Sequence, residues 1–449
     1  MRSIYRRLLT GLAVVVTLAL LPGFPALTQN GIDPDTLARM DAVEAAVSDL
    51  RGLDVAGSTA RAVMTRDELE AWLVEELSEM YSPDDQGAVA FVSPIDFMPL
   101  DTDLWQLQLD LLTEQVGGFY DPEAQRMVVV SEGFDAAAEL IYAHEFTHAL
   151  QDEHFDLERL GVAGDRASDD PDLLLARLAL IEGDAQQMTQ DYLMWRVQDS
   201  GDAAFALGLF GDLANVSTAQ FDSAPPIARA ELLFPYLDGQ QFVQEALNRG
   251  GWALVDAVYD RPPLSTEQIL HPDQYFNADE PQLVEVALPD AVLSPHWRQT
   301  HHATLGEFYL REYLSQRIPD DDAVRAAEGW GGDRFAVYTN DNTGGVMLLY
   351  RLRWDSASHG SEFTEAFTAF AEARYGTGSV TEPAMGLPEG ATCWDGAARA
   401  PGRALSELEA ATLRTDSTCV ITQGSNTLLV QGPDLNTVMA VWQLQPGFE

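Results

Sequence analysis

The 449-residue chain contains no lysine: all 26 basic side chains are arginine, against 71 acidic ones, for a formal net charge of −45. So little positive charge repels phosphate backbones and argues against nucleic acid as a partner. The acidic excess reads as a solubility or salt-adaptation feature, with a field that steers cationic substrates as the sharper alternative. Cysteine is nearly absent too. Cys393 and Cys419 are the only two, and neither has a histidine or second cysteine at metal-ligand spacing. After the first 28 residues no stretch is apolar enough to span a bilayer. An apolar fraction of 46% still rules out a largely disordered chain.

What is present starts with targeting. Arg2, Arg6 and Arg7 precede the apolar run Leu8 to Leu21, which Pro22 and Gly23 close. The run is short for a span of about 20 residues and suits a signal peptide over residues 1–28. An uncleaved N-terminal anchor is the alternative, and would be the only membrane attachment. The expected location is extracytoplasmic, secreted or N-terminally anchored. In an oxidising compartment Cys393 and Cys419 read as a disulfide, with two buried thiols as the alternative.

Apolar spacing predicts a helical lead-in over 33–100. It holds one helix over 34–50 and another over 65–81, opened by the capping box Thr65 to Glu68. A helix over 103–116 comes next, and then a hairpin: Gly117 to Pro122 turns into the apolar strand Met127 to Val130. Helices follow over 135–155 and 171–197, the second capped by Asp170 with Pro171 at its first position. Residues 204–275 read as helices with loops. From 285 to 449 the texture is that of a separate α+β module. It has a helix over 305–317, a Gly-rich turn at 329–332, strands over 335–339 and 346–354, a helix over 362–375 and a late hairpin. The whole reads as α+β and predominantly helical, with the chemistry in 101–280.

That chemistry centres on His144-Glu145-Phe146-Thr147-His148. Residues four apart on a helix project about 40° apart and one turn along, so the two imidazoles can grip one ion. Glu145 then sits beside the ion, where it can take a proton from water. The structural alternative is two surface histidines on an amphipathic helix. A zinc site needs a third protein ligand. His154 lies ten residues after His144, the metzincin spacing, but that pattern needs a helix-ending glycine where this chain has Gln151. A continuing helix points His154 away. Glu182 is the preferred ligand: it stands in the apolar stretch Leu180 to Ala185, where an unpaired carboxylate is costly, and Gly183 beside it lets another backbone approach.

The strand, the His144–His148 helix and the following helix with Glu182-Gly183-x-Ala185 together resemble the gluzincin group of zinc peptidases, over roughly residues 115 to 200. The resemblance implies a zincin-like catalytic domain: a small β-sheet and an active-site helix, followed by a smaller α+β domain. It implies Zn2+ held by His144, His148 and Glu182, with Glu145 as general base of peptide hydrolysis on a peptide or protein substrate. The interval to Glu182 is longer than in the thermolysin-like and aminopeptidase families, so subfamily and specificity stay open.

An oxyanion donor is expected as well. The candidates are His271 and Tyr275, spaced four apart, then Tyr120 and Tyr192. Asp184 or Asp152 is a candidate to orient a ligand histidine, and His301 and His302 read as surface residues. The strand Met127 to Val130 can either pair with an extended peptide or belong to the core. Two alternatives to a peptidase stand: a zinc hydrolase acting on a non-peptide amide, and a non-enzymatic envelope protein with a structural or vestigial zinc site, whose C-terminal module binds a partner.

Overall fold

Helix caps stand where the sequence puts them, and they set the frame of the site. In the computed structural model, residues 32–54, 59–80, 97–98, 102–122, 124–162, 168, 170–199, 205–209, 217–376, 380–381, 388–397 and 415–448 are described. The expected signal peptide or anchor over 1–28 and most of the link over 93–100 lie outside them. Helix α1 is Pro34–Arg51, capped by Asp33. Helix α2 is Arg66–Met80, where the Thr65 amide donates to Glu68 Oε2 at 2.8 Å and the Glu68 amide to Thr65 Oγ1 at 3.2 Å. Helix α3 (Leu104–Gln115) is capped by Asp103, α4 (Ala136–Phe155) by Asp135, and α5 (Pro171–Met194) by Asp170. Helix α6 is Pro226–Gly250 and carries Pro235 inside it. Helix outweighs strand among the described residues, 56% to 18%. The fold is therefore α+β and predominantly helical.

A three-stranded sheet backs α4. Its strands are β1 (Ala60–Met64), β2 (Gly118–Asp121) and β3 (Arg126–Val130), in the order β1-β3-β2. The expected hairpin forms: β2 is antiparallel to β3, with Phe119 opposite Val128. Strand β1 adds parallel to the other side of β3. This decides between two open readings. The run Met127 to Val130 is a central strand, fully buried and paired on both edges, so its backbone has no free edge for a substrate peptide.

The C-terminal module is a seven-stranded antiparallel sheet in the order β4-β5-β6-β10-β9-β8-β7. Its strands are β4 (Trp297–Ala303), β5 (Trp330–Asn340), β6 (Val346–Trp354), β7 (Val380–Thr381), β8 (Thr392–Ala397), β9 (Thr415–Gln423) and β10 (Asn426–Gly432). Cys393 and Cys419 pair across β8 and β9 as a disulfide. Side chains alternate faces as a strand requires. Phe335 and Val337 enter the main core, which Phe363 and Phe367 of the helix Ala357–Tyr375 also join, while Ala336 and Tyr338 enter a second one. Of Gly329 to Gly332 only Gly329 (φ +77°) stands in the turn; Trp330 is already in β5 and buried. Gly332 admits the backbone of Gln282, whose amide donates to the Gly331 carbonyl at 2.6 Å. His301 is buried and His302 exposed.

One apolar core runs through both parts, from Met40 of α1 to Trp354 of β6. The N-terminal end of α5 is tied into the module by buried hydrogen bonds. Asp172 Oδ1 accepts from the Thr266 amide at 3.0 Å, and Thr266 Oγ1 from the Phe308 amide at 3.1 Å. Gly306 (φ +81°) lies against the Asp172 carboxylate, where a Cβ would collide at 1.9 Å. The helix that carries Glu182 is thus anchored from the C-terminal side.

Candidate metal centre

Two glycines bring the site together. A Cβ on Gly183 of α5 would meet the Gly239 carbonyl carbon of α6 at 2.2 Å, and a Cβ on Gly239 would meet the Ala179 oxygen at 2.1 Å. The two backbones touch there, which only glycine permits. The crossing holds Glu182 rigidly and sets Tyr236 of α6 beside it. Gly118 does similar work in β2: a Cβ there would lie 3.1 Å from Glu145 Cγ and 2.8 Å from the Val128 oxygen.

His144 and His148 project from α4 one turn apart, their ring centroids 4.8 Å from each other. Glu182 Oε2 lies 3.1 Å from His144 Nε2 and 3.4 Å from His148 Nε2. One donor atom from each of the three residues falls within 4.8 Å of the others. The set is buried, with 13% of the His144 side chain exposed and nearly nothing of the other two.

The histidine tautomers follow from their outer contacts. His148 Nδ1 is 2.8 Å from Gln151 Oε1, and the Gln151 amide donates to the Ile181 carbonyl at 3.0 Å. That second bond fixes the amide orientation, so Oε1 accepts and Nδ1 carries the hydrogen. His144 Nδ1 is 3.2 Å from Thr189 Oγ1, whose own hydrogen goes to the Ala185 carbonyl at 2.8 Å. Both Nε2 atoms therefore turn inward. The residue that breaks the metzincin pattern, Gln151, is what orients a histidine here.

Electrostatics agree with a cation site. Burial acts against the charged form of His148, but the Glu182 carboxylate outweighs it and pushes the imidazole up to about 9. Burial acts against the Glu182 charge in turn, and His148 and His144 overcome it, holding the carboxyl well below its usual range. In His144 burial dominates and lowers the value. Glu145 is pushed up to about 8, by burial first, with His148 opposing and Glu182 adding. At the cluster three buried polar atoms have no hydrogen-bond partner: His148 Nε2, Glu182 Oε1 and Glu145 Oε2. Orphaned atoms of this kind, on one imidazole and two carboxylates, fit a bound cation with an adjacent base.

The other expected site residues go elsewhere. His271 ends one short helix and Tyr275 lies in the next, so their spacing of four does not put them on a common face. His271 Nε2 sits 3.0 Å from Glu307, and the Tyr275 hydroxyl donates to the Arg261 carbonyl at 2.6 Å. The Tyr120 hydroxyl donates to Asp152 at 3.0 Å and that of Tyr192 to Glu139 at 2.8 Å. Asp184 is fully buried, accepts from Arg51 at 3.0 and 3.1 Å and from the Tyr259 hydroxyl at 2.8 Å, and touches neither histidine. His154 stays on the continuing helix with its Nε2 2.8 Å from the Asp54 carbonyl oxygen, outside the cluster.

Tyr236 is the residue that sequence reasoning missed. Its ring lies 5.9 Å from that of His144, and burial followed by the Glu182 and Glu145 charges raises its hydroxyl well above the usual value. The available signal was a pair of glycines, Gly183 and Gly239, each inside an apolar helical pattern. Among known families, the model for a Domain of unknown function (DUF8575) matches residues 295–442, the C-terminal sheet and its helices. No curated protein and no solved structure matches the chain.

Proposed function

We propose that the chain is an exported zinc-dependent metallopeptidase, with zinc held by His144, His148 and Glu182. The carrying observation is the buried His-His-Glu cluster with an unpartnered Glu145 carboxylate beside it. Two imidazoles and one carboxylate are a donor set characteristic of zinc at hydrolytic centres, leaving one position open. Bound there, zinc supplies Lewis acidity toward a carbonyl oxygen and toward water. Glu145, buried beside the cluster, takes a proton from the attacking water and returns it to the leaving amine. Gln151 and Thr189 hold the imidazoles in register. Tyr236 offers a hydroxyl to the developing oxyanion. A structural zinc site has no use for a buried general base, which favours an enzyme over a non-catalytic envelope protein. Export rests on the N-terminal sequence alone.

Wild type and Glu145→Gln, each loaded with zinc, test this on an unstructured protein substrate. The reading expects cleavage by the wild type and loss of at least a hundredfold in the variant at equal zinc content. Zinc bound by the wild type with no cleavage of any unstructured protein or peptide contradicts it, and cleavage of non-peptide amides alone moves the assignment to an amidohydrolase.

A further inference from the structure

Away from the metal cluster, a cavity of about 710 Å³ opens between helix α6, residues 267–274 and the C-terminal module. Asp238, Gln241, Glu245 and Arg249 line it at steps of three and four along α6. Tyr236, two residues before Asp238, faces about 200° away, so α6 presents one side to the metal cluster and another to this cavity. Six of the lining side chains are carboxylates, and Arg249 is the only arginine among them. Arg249 is itself engaged by Glu245, at 2.7 Å, and by Asp273. The two lining imidazoles, His271 and His359, leave the cavity strongly acidic.

Glu267 is the feature that points to a ligand. It lines the cavity, is only 5% exposed, and its carboxyl has no hydrogen-bond donor or ion-pair partner among the described residues. The charges around it are Glu307, Asp355, Asp172 and Asp279, all of the same sign. His271 and Arg311 are spent on Glu307. A buried carboxyl left this way keeps a proton until something positive fills the space beside it. The filler is not a compact metal ion. Among the described residues only His144, His148 and Glu182 bring three ligand atoms close together. Carboxylates spread around a cavity of small-molecule size match a ligand with separated positive charges.

We propose that this cavity binds an extended organic cation, carrying two or more ammonium or guanidinium groups, through Glu267 and Asp355. Because the C-terminal module supplies Glu328, Asp355 and His359 to one wall, the proposal gives that module a role in recognition. Burial and the like charges push the empty-site Glu267 up to about 9. A bound ammonium therefore displaces its proton, and binding at neutral pH releases up to one proton per ligand.

Isothermal titration of the full chain with spermine, in two buffers of different ionisation enthalpy, tests this. The expected result is one saturable site with proton release, weakened at least tenfold in Glu267→Gln and in Asp355→Asn. Asp355 is exposed, so that second variant folds without difficulty. The control Glu372→Gln, on an exposed position of the helix Ala357–Tyr375, keeps wild-type affinity. Trilysine competing with spermine assigns the natural cation to a polypeptide; spermine binding that trilysine cannot displace assigns it to a free amine. Titration without saturation, or equal weakening in all three variants, overturns the proposal in favour of diffuse attraction to a chain of charge −45. Displacement of spermine by one calcium ion overturns it in favour of a metal.

Discussion

Replacing Gly183 by alanine tests whether the α5–α6 crossing builds the site. The new Cβ would sit 2.2 Å from the Gly239 carbonyl carbon, 2.3 Å from its oxygen and 2.7 Å from the Gln240 nitrogen, where ordinary contact begins at 3.4 Å. All three atoms are backbone, so no side chain can rotate aside and the helices must separate by roughly 1 Å. Overpacking of this kind costs about 3 kcal/mol, and alanine recovers about 1 kcal/mol of helix propensity. The net expectation is a loss of about 2 kcal/mol in urea unfolding. Glu182 moves with the crossing, so zinc affinity falls by about 10- to 100-fold, the range found when the support of metal ligands is disturbed. Gly133→Ala is the control: its Cβ meets nothing within 4 Å. A Gly183→Ala protein with wild-type stability and wild-type zinc affinity refutes the close-crossing argument.

Gln151→Ala leaves His148 Nδ1 without its acceptor, so zinc affinity by competition titration should drop about 10- to 100-fold with the far-ultraviolet spectrum unchanged; unaltered affinity would show that Gln151 does not orient the ring. Tyr236→Phe should retain zinc and lower kcat by about 10²- to 10³-fold, whereas an equal loss from Tyr275→Phe would return the donor role to that residue. Glu267 holds its proton up to about pH 9 in the folded chain and to about pH 4 when unfolded. Between those limits the folded state binds the extra proton, so stability falls as pH rises. Glu267→Gln should remove that slope and gain up to about 3 kcal/mol at pH 7, a gain that vanishes near pH 4; a variant no more stable than wild type at pH 8 contradicts the burial argument.

Local signals carried much of the site. The two histidines fall on one face because a capped helix runs unbroken from Asp135 past Gln151, and Glu182 was marked by the cost of its burial. Those signals act within one helix, and the three residues they marked come together. What escaped depends on contacts far apart in sequence. Strand β1 is five residues with Arg61 inside it and forms only because β3 offers a parallel edge. Tyr236 reaches the cluster through Gly183 and Gly239, a contact no helical period encodes. His271 and Tyr275 looked paired by spacing, but the helix ends between them. The glycines at 329–332 looked like one turn because glycine usually marks one; Gly329 does stand in a turn, while Gly332 admits the neighbouring backbone of Gln282. The C-terminal module was marked by its change of texture; that the main core extends into it and buried Asp172 joins the two depends on contacts the texture does not carry.

The most direct test of the account is the zinc content of three purified proteins, wild type, Glu182→Ala and His154→Ala, measured by native mass spectrometry after dialysis against buffered zinc. The account predicts one zinc per chain in the wild type and in His154→Ala, and none retained in Glu182→Ala. Zinc retained in Glu182→Ala but lost from His154→Ala would contradict it.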